Sequence, residues 1–199
     1  MTADRSNGYE ANAAEFMAGR GTSDVGVAPV RAWARSLRPG ATILDLGCGH
    51  GLPIARALME DGFTIYGVDA SETMTAAFRS RFPGAHIACE NVEESRFFNR
   101  TFDGAVAWGL MFLLPAEVQI ALIRKVAPAL VPGGRFLFTS PRQQCTWADN
   151  LTGLGSLSLG ASAYESALHH AGFRLAATHQ DKDDNHYYDA VRTNYPITR

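Results

Sequence analysis

The chain has 199 residues, of which 46% are hydrophobic and 19% are charged, and this composition fits one globular domain with an apolar core of its own. The formal net charge of −2 excludes the overall basic excess that nucleic-acid-binding proteins usually carry, although it leaves room for a local basic patch. We therefore expect no nucleic-acid partner.

Cysteine usage and apolar stretches indicate the compartment. The three cysteines form no C-x-x-C pair and are odd in number, so we expect neither a disulfide framework nor a metal site, and a cytoplasmic location fits best. The first ten residues contain no signal-peptide core. The longest near-apolar stretch, Gly104 to Val118, is interrupted by Pro115 and is too short to span a bilayer, so we expect no membrane partner. The sequence predicts no particular oligomeric state.

The first forty residues are polar and rich in alanine and glycine. Short helices are predicted at Tyr9–Gly19 and Pro29–Leu37. We interpret residues 1–40 as N-terminal lid helices and residues 41–199 as the core of the domain. The segment Met1–Gly26 has few large apolar residues, so we expect it to be mobile until it docks over a bound ligand.

Apolar and helical segments alternate after residue 40. The predicted strands are Ala41–Leu46, Phe63–Val68, Ala85–Cys89, Phe102–Ala107, Arg135–Thr139, Phe173–Thr178 and Tyr187–Arg192. The predicted helices are Leu52–Glu60, one capped by Ser71, Ala116–Leu130 and Ala161–Ala171. This alternation predicts βαβ units around a parallel sheet, and the polar loop before the last strand makes the final pair antiparallel at one edge. Residues 140–160 are Gly/Ser-rich and without clear periodicity, so we expect a long loop that caps the substrate side.

The segment that carries chemistry is Asp45-Leu46-Gly47-Cys48-Gly49-His50-Gly51, at the passage from the first strand to the first helix. Its glycines permit a sharp turn and close approach of a ligand, at the strand end where open α/β sheets bind ligands. A dinucleotide-binding G-x-G-x-x-G pattern needs a glycine where Leu52 stands, which disfavours an oxidoreductase. A carboxylate beside the turn suits a cationic group such as an α-amino group or a sulfonium. A tight turn without any ligand is the alternative.

Asp69 ends the second strand. A carboxylate at this place accepts hydrogen bonds from both hydroxyls of a ribose. The alternative is that Asp69 caps the next helix, but Ser71 is already placed to do so.

These segments, ILDLGCGHG, GVDAS, TFDGAVAWG and LVPGGRFLFTSP, resemble in order and spacing the class I S-adenosylmethionine-dependent methyltransferases, small-molecule type. The resemblance covers about Ala41 to Thr139. It implies an α/β fold with a Rossmann-like, seven-stranded, mostly parallel sheet, an antiparallel edge strand and helices on both faces. It also implies S-adenosylmethionine as the cofactor and S-adenosylhomocysteine as its product.

The family's cofactor residues carry over onto the glycine turn and the next strand end. The resemblance implies that Gly47, Cys48 and Gly49 lie behind the methionine part of the donor. It implies that Asp45 holds the amino group and Asp69 the ribose.

The residues expected around the adenine match the family pattern less closely. Ala70 is implied to lie against the adenine. Many relatives have an aspartate after the third strand, whereas the matching position here is Asn91, followed by Val92. The Asn91 side-chain oxygen can still accept a hydrogen bond from the adenine amino group. Glu90 is the alternative if the register is shifted by one residue.

The remaining cofactor residues come from two places. Ala107 and Trp108 are implied to form the floor near the sulfonium. Tyr9 and Arg20 match an N-terminal helix that covers the cofactor in small-molecule members, and an arginine is the natural partner of the donor's carboxylate. An ordinary exposed arginine is the alternative.

The substrate side is less well specified. Acceptor candidates are Phe16, Met111, Arg142, Trp147, His186 and Tyr188, and His186 is also a weak candidate for a general base. The proline pair that nucleic-acid amino-methyltransferases carry after the fourth strand is missing, because that place reads Ala107-Trp108-Gly109-Leu110. A small, partly apolar acceptor is therefore expected.

The resulting hypothesis is transfer of a methyl group to a small molecule by in-line displacement. Catalysis then rests mainly on positioning and exclusion of water, with no dedicated base required. The alternatives are a methyltransferase acting on RNA or protein, and a non-catalytic module that binds S-adenosylmethionine. The sequence does not identify the acceptor or its nucleophilic atom.

Overall fold

The computed structural model describes residues 5–193, which form six α-helices and nine β-strands. The helices are α1 (Ala13–Arg20), α2 (Val27–Ala34), α3 (Ile54–Glu60), α4 (Glu72–Arg81), α5 (Ala116–Ala129) and α6 (Ala161–His170). The strands are β1 (Thr42–Leu46), β2 (Thr64–Asp69), β3 (His86–Cys89), β4 (Phe102–Ala107), β5 (Leu130–Thr139), β6 (Gln144–Ala148), β7 (Gly155–Leu159), β8 (Phe173–Gln180) and β9 (His186–Arg192). None of the helices in this part of the chain is long and apolar enough to cross a membrane.

Seven strands form one sheet in the order β3-β2-β1-β4-β5-β9-β8. The first five are parallel to one another, and β9 runs antiparallel to both β5 and β8. The predicted mostly parallel sheet with an antiparallel pair at one edge is confirmed. The strand of opposite direction is β9, the second from the edge, because β8 at the edge follows the direction of β5.

Helices cover both faces of the sheet, as predicted. On one face α5 and α6 pack against the large apolar side chains of β4 and β5. On the other face α2, α3 and α4 pack against β1 and β2. The central strand β1 therefore has no solvent side, which explains why its sequence is a continuous apolar run broken only by Asp45.

The second N-terminal helix belongs to the core. In α2, Val30 and Ala34 are inaccessible to solvent and Trp33 is 5% exposed, so this helix cannot lift without opening the hydrophobic core. The grouping of residues 1–40 as lid helices therefore does not describe α2. Residues 5–20, which include α1, lie outside that core, and for these residues the lid remains a hypothesis.

Residues 140–160 differ from the expectation of a long irregular loop. They contain the hairpin β6–β7, with Gln144 paired to Leu159 and Ala148 to Gly155. The hairpin buries Ser156 and Ser158, which are each 2% exposed. Polar and apolar residues alternate in β7, but the buried residues are the serines rather than the leucines, which is the reverse of the usual pattern of a strand.

Other boundaries shift by a few residues. α1 begins at Ala13 rather than Tyr9. β5 begins at Leu130 and runs through the Pro132–Gly134 segment that was expected to separate helix from strand.

Two buried tyrosines of the same aromatic cluster give a stability prediction. The Tyr164 hydroxyl donates to Gln119 Oε1 at 2.5 Å, contacts Ser140 Oγ at 2.8 Å and accepts from the Leu159 amide at 3.2 Å. The Tyr188 hydroxyl has no hydrogen-bond partner among the described residues. We predict that Tyr164→Phe lowers the free energy of unfolding by about 1–3 kcal/mol, because it leaves buried partners unsatisfied.

The matched variant Tyr188→Phe is expected to be neutral or stabilising, because it removes a hydroxyl that the fold does not pair. Urea denaturation measures both variants. Equal losses in the two would contradict this account of the network.

Candidate functional site

A cavity of about 300 Å³ opens at the carboxyl ends of β1, β2, β3 and β4. All of the predicted cofactor-binding residues except Ala107 line it: Tyr9, Arg20, Asp45, Gly47, Cys48, Gly49, Asp69, Ala70, Asn91, Val92 and Trp108. Ala107 is fully buried in β4 directly before Trp108, so its side chain packs into the core.

Backbone hydrogen bonds tie the glycine turn to the end of β2. The amides of Gly47 and Cys48 donate to the Val68 carbonyl at 2.8 and 3.2 Å. The amide of Gly49 donates to Asp69 Oδ2 at 2.8 Å. The turn and Asp69 are therefore one rigid unit that faces the cavity.

The last two glycines of the turn are required for different reasons. Gly49 has φ of +53°, and a Cβ there would meet nothing closer than Met74 Sδ at 3.5 Å, so its backbone can face a ligand directly. A Cβ on Gly51 would lie 2.6 Å from a ring carbon of Phe82 and 2.9 Å from Phe78. Gly51 thus serves the packing of α4 against the turn.

Asp45 is the residue of the cavity that most clearly indicates the chemistry of a ligand. Its side chain is buried, with the residue 3% exposed, and no described group donates to its Oδ2 atom. Burial, together with the charge of Asp69, raises the pKa of Asp45 to about 8. A buried acceptor without a donor is costly, and a cationic N–H group in the cavity relieves that cost. The residue therefore fits the amino group of an amino-acid ligand.

Asp69 and Ser71 divide the two roles that the sequence left open. The Ser71 hydroxyl caps α4 by accepting from the Met74 amide. Asp69 Oδ1 accepts from the Ser71 amide at 2.9 Å and Oδ2 accepts from Gly49. A carboxylate has about four acceptor positions, so Asp69 retains capacity for hydroxyl groups of a ligand.

Arg20, the last residue of α1, lines the same cavity. Its guanidinium lies 4.4 Å from the centre of the Trp108 ring. Its Nε is buried without a partner among the described residues, and desolvation lowers the pKa of Arg20. The cavity therefore holds an acidic and a basic side chain, each with a buried atom that no described residue satisfies, and together they complement a zwitterionic amino acid.

The chain before α1 is attached to three separate parts of the core. Glu10 accepts from Ser71 Oγ at 2.5 Å and from the Thr73 hydroxyl and amide at 2.6 and 3.2 Å, at the start of α4. The Tyr9 hydroxyl donates to Asp149 at the tip of the β6–β7 hairpin, at 3.1 Å.

The third attachment is an exposed ion pair between Arg5 and Glu94, in the segment after β3. Together these contacts place the N-terminal segment over the cavity.

The segment after β3 is fixed from behind by α5. Lys125 Nζ donates to the carbonyls of Val92 and Glu93 at 2.9 and 2.7 Å. Asn91, Val92 and Glu93 line the cavity, whereas Glu90 is exposed and is not among the lining residues. The geometry thus favours Asn91 over Glu90 for this side of the site.

Among the predicted acceptor residues, only Phe16 lines the cavity. Met111 and Tyr188 are fully buried in the core, because the short 3-10 turn after β4 directs Met111 inward and β9 directs Tyr188 toward α6. Arg142 is exposed and does not line the cavity.

Two further candidates lie close to the cavity without lining it. Trp147 contacts the ring of the lining residue Phe112, with centroids 5.4 Å apart. His186 packs edge-on against Tyr188, and burial followed by the charge of Arg142 lowers the pKa of His186. The geometry gives His186 no direct access to the cavity as a base.

Several lining residues were not predicted: Arg5, Ser6, Asn7, Leu52, Ile54, Met74, Glu93, Leu113, Leu114 and Asn185. The apolar run after β4 was a visible signal for Leu110 and Phe112, since it follows a strand end. Asn185 carried no comparable signal, because its place depends on the fold of the β8–β9 loop.

Comparison with known proteins agrees with this geometry. Residues 43–134 match the family model of a methyltransferase domain. The cypemycin N-terminal methyltransferase of a Streptomyces species is 38% identical over 108 residues, which are 52% of this chain and 44% of that protein. The ribosomal protein L11 methyltransferase of Thermus thermophilus is 35% identical over 114 residues, 55% of this chain and 42% of that protein. The chain spans less than half the length of these two curated relatives.

A solved structure shares almost the whole fold. The 1,6-didemethyltoxoflavin-N1-methyltransferase of Burkholderia thailandensis, with bound 1,6-didemethyltoxoflavin and S-adenosylhomocysteine, aligns with a TM-score of 0.72 and 18% identity. The alignment covers 98% of this chain and 92% of that one.

The sheet order, the glycine turn and the matched sequence define a Rossmann-like methyltransferase domain. The matched residues 43–134 carry a methyltransferase domain, which confirms the predicted resemblance to the class I S-adenosylmethionine-dependent methyltransferase family. S-adenosylmethionine is the cofactor of this family, and the unpartnered Asp45 and the open backbone at Gly49 fit its amino-acid part.

The raised pKa of Asp45 gives a pH prediction for the ligand-free protein. A carboxyl whose folded-state pKa lies near 8, above its ordinary value, binds its proton more tightly in the folded than in the unfolded chain. Its contribution to stability is therefore complete below the ordinary carboxyl pKa and is lost as the pH rises through about 8. We predict that Asp45→Asn reduces this loss, so that the variant gains stability relative to wild type at alkaline pH.

Thermal denaturation across the range from acidic to alkaline pH measures the effect. Asp24→Asn, at an exposed position, is the matched control and is expected to keep the wild-type profile. Parallel profiles for wild type and Asp45→Asn would contradict the assignment.

Proposed function

We propose that the protein binds S-adenosylmethionine in the cavity and transfers its methyl group to a small, partly apolar acceptor. The observation that carries the proposal is the buried, unpartnered Asp45 carboxylate in the glycine turn. When bound, S-adenosylmethionine supplies a methyl group already activated on a sulfonium.

The residues divide the cofactor among them. Asp45 would hold the amino group and Arg20 the carboxylate, since both residues line the cavity. The backbone at Gly47–Gly49 would lie behind the methionine part. Asp69 would accept hydrogen bonds from the ribose hydroxyls.

Ala70, Asn91 and Val92 would surround the adenine. Lys125 keeps the backbone of this segment in place through the carbonyls of Val92 and Glu93.

The chain's own contribution to the reaction would be positioning and exclusion of water. Trp108, Leu110 and Phe112 give the acceptor side apolar walls. The N-terminal segment covers the cavity and would keep water away from the reacting atoms. A dedicated base is not part of this proposal, since an amine or a partly ionised hydroxyl needs only correct placement.

A small acceptor is favoured over a macromolecule by the cover on the cavity. Arg5, Tyr9 and Glu10 attach the N-terminal segment to three elements, and a polymer chain would have to displace all of these contacts. The net charge of −2 also gives little attraction for RNA. The cypemycin and L11 relatives make a peptide or protein acceptor the alternative, but their similarity extends over about half of this chain.

Two measurements test the proposal as a whole. Calorimetry is expected to show binding of S-adenosylmethionine and S-adenosylhomocysteine, and far weaker binding of NAD. Release of S-adenosylhomocysteine across a panel of metabolites, with peptides and RNA in parallel, identifies the acceptor class. Equal or tighter binding of NAD would overturn the cofactor assignment, and turnover with RNA or peptides alone would overturn the small-molecule acceptor.

The separate roles of the cofactor residues predict that substitutions change the affinity for two related ligands differently. 5′-Methylthioadenosine has the adenosine and sulfur of S-adenosylhomocysteine but lacks its amino and carboxylate groups. Arg20→Met should weaken S-adenosylhomocysteine binding by about 1.5–3 kcal/mol, the range for hydrogen bonds to charged groups, and leave methylthioadenosine binding unchanged. Asp69→Asn should weaken the binding of both ligands.

Isothermal titration of both ligands measures these effects, and circular dichroism checks that the variants are folded. If Arg20→Met weakened both ligands equally, Arg20 would not bind the carboxylate.

The lid hypothesis predicts ligand-dependent protection of the N-terminal segment. Hydrogen exchange of Tyr9–Arg20 should slow when S-adenosylhomocysteine is added. Glu10→Ala should speed this exchange and weaken ligand binding by about 1 kcal/mol, since it removes the contacts of Glu10 with the start of α4. Glu15→Ala, at an exposed position on α1, is the matched control and should change neither quantity. Equal exchange with and without ligand would overturn the hypothesis.

A further inference from the structure

Asn185 is the residue of the β8–β9 loop that lines the cofactor cavity. It directly precedes β9, so it lies next in sequence to His186, which does not line the cavity. Asn185 lines the same cavity as Trp108 and Phe112, the residues that we propose for the apolar acceptor side.

A single carboxylate organises this loop. Asp181 Oδ1 accepts from the amides of Asp183 and Asn185, both at 2.9 Å. The Asn185 side-chain nitrogen donates to both Asp181 oxygens, at 3.2 and 3.1 Å, and the Tyr187 hydroxyl donates to Oδ2 at 2.8 Å. Burial alone would raise the pKa of Asp181, but the hydrogen bonds from Tyr187 and Asn185 hold this pKa below its ordinary value. The carboxylate is therefore ionised at neutral pH.

An ionised carboxylate fixes which way the amide of Asn185 points. It offers acceptors only, so the NH₂ end of the amide must face Asp181. Asp181 is not among the described residues that line this cavity, whereas Asn185 is. The carbonyl end, Oδ1, is the end of the amide left for the cavity.

The indole N–H of Trp108 already has a hydrogen-bond partner. Trp108 Nε1 donates to the Tyr187 hydroxyl at 3.0 Å, and Tyr187 in turn donates to Asp181. This indole N–H is therefore already used, and the walls formed by Leu110 and Phe112 are apolar. Asn185 thus brings a hydrogen-bond acceptor to a part of the cavity where the other groups are the apolar walls of Leu110 and Phe112 and the Arg20 guanidinium over Trp108.

We propose that Asn185 is a substrate-positioning residue whose Oδ1 accepts a hydrogen bond from an N–H or O–H group of the methyl acceptor. The inference rests on the proposed function, and it narrows the acceptor to an apolar or aromatic molecule that carries an amine or hydroxyl donor. Asp181 is the residue that keeps the amide in this orientation.

Fragment binding tests the proposal without requiring turnover. Protein saturated with S-adenosylhomocysteine is titrated with phenol and anisole, and with aniline and N,N-dimethylaniline, followed by ligand-observed NMR. In each pair, the second compound carries methyl groups in place of the donor hydrogens of the first. Wild type should bind the donor-bearing member about fivefold more tightly, the ratio that one net hydrogen bond of about 1 kcal/mol provides. Asn185→Ala should remove this preference and leave the affinity for S-adenosylhomocysteine unchanged.

A second variant and a control complete the test. In the Asp181→Asn variant, the new side chain can donate a hydrogen bond to Asn185, so that the Asn185 amide can adopt the flipped orientation. This should also reduce the preference for the donor-bearing fragments. This variant provides the test if Asn185→Ala fails to fold. Gln180→Ala removes another amide of the same loop, one that donates to Asp184, and should keep the wild-type preference.

The outcomes separate the two proposals. The role of Asn185 alone is overturned if wild type binds S-adenosylhomocysteine but shows no preference for the donor-bearing fragments. It is also overturned if this preference survives in the folded Asn185→Ala or Asp181→Asn variant. Failure of wild type to bind S-adenosylhomocysteine overturns the proposed function, and the role of Asn185 with it.

Discussion

The hydrogen bonds between the glycine turn and the end of β2 are the constraint on which the site depends. Val68 and Asp69 accept the amides of Gly47, Cys48 and Gly49, so two neighbouring strand ends become a single edge. This arrangement brings Asp69 close enough to Asp45 for its charge, in addition to burial, to raise the pKa of Asp45. Two buried acidic side chains at this edge are unfavourable without a ligand, and the edge favours a ligand that carries positive charge and hydroxyl groups.

The sequence predicted those parts of the fold and site that depend on local chemistry. The strand β1 is a continuous apolar run because both of its faces are covered, and a turn of alternating glycines directly follows it. A residue that occupies the end of such a strand, such as Asp69, could therefore be assigned to the cavity by counting along the chain. The fold, the glycine turn and Asp69 follow from this regularity, whereas Asn91, Trp108 and Arg20 were assigned through the family resemblance.

The rest depends on contacts between distant parts of the chain. The β6–β7 hairpin was missed because Ser156 and Ser158 face inward, which reverses the usual apolar pattern. Tyr188 and His186 looked accessible in the sequence, but the pairing of β9 with β5 and β8 places Tyr188 in the core. Asn185 could not be singled out, because its orientation is set by Asp181 and by the turn that joins two antiparallel strands.

The attachment of the N-terminal segment to three separate elements has a kinetic consequence. Under the lid hypothesis, a ligand beneath the segment leaves when the contacts at Glu94, Asp149 and the start of α4 are broken at the same time. The probability of such a joint event is far smaller than that of any single break, so residence time depends on a surface segment as well as on the ligand's own contacts. A substitution at the hairpin tip would therefore change how long a molecule stays bound without touching that molecule.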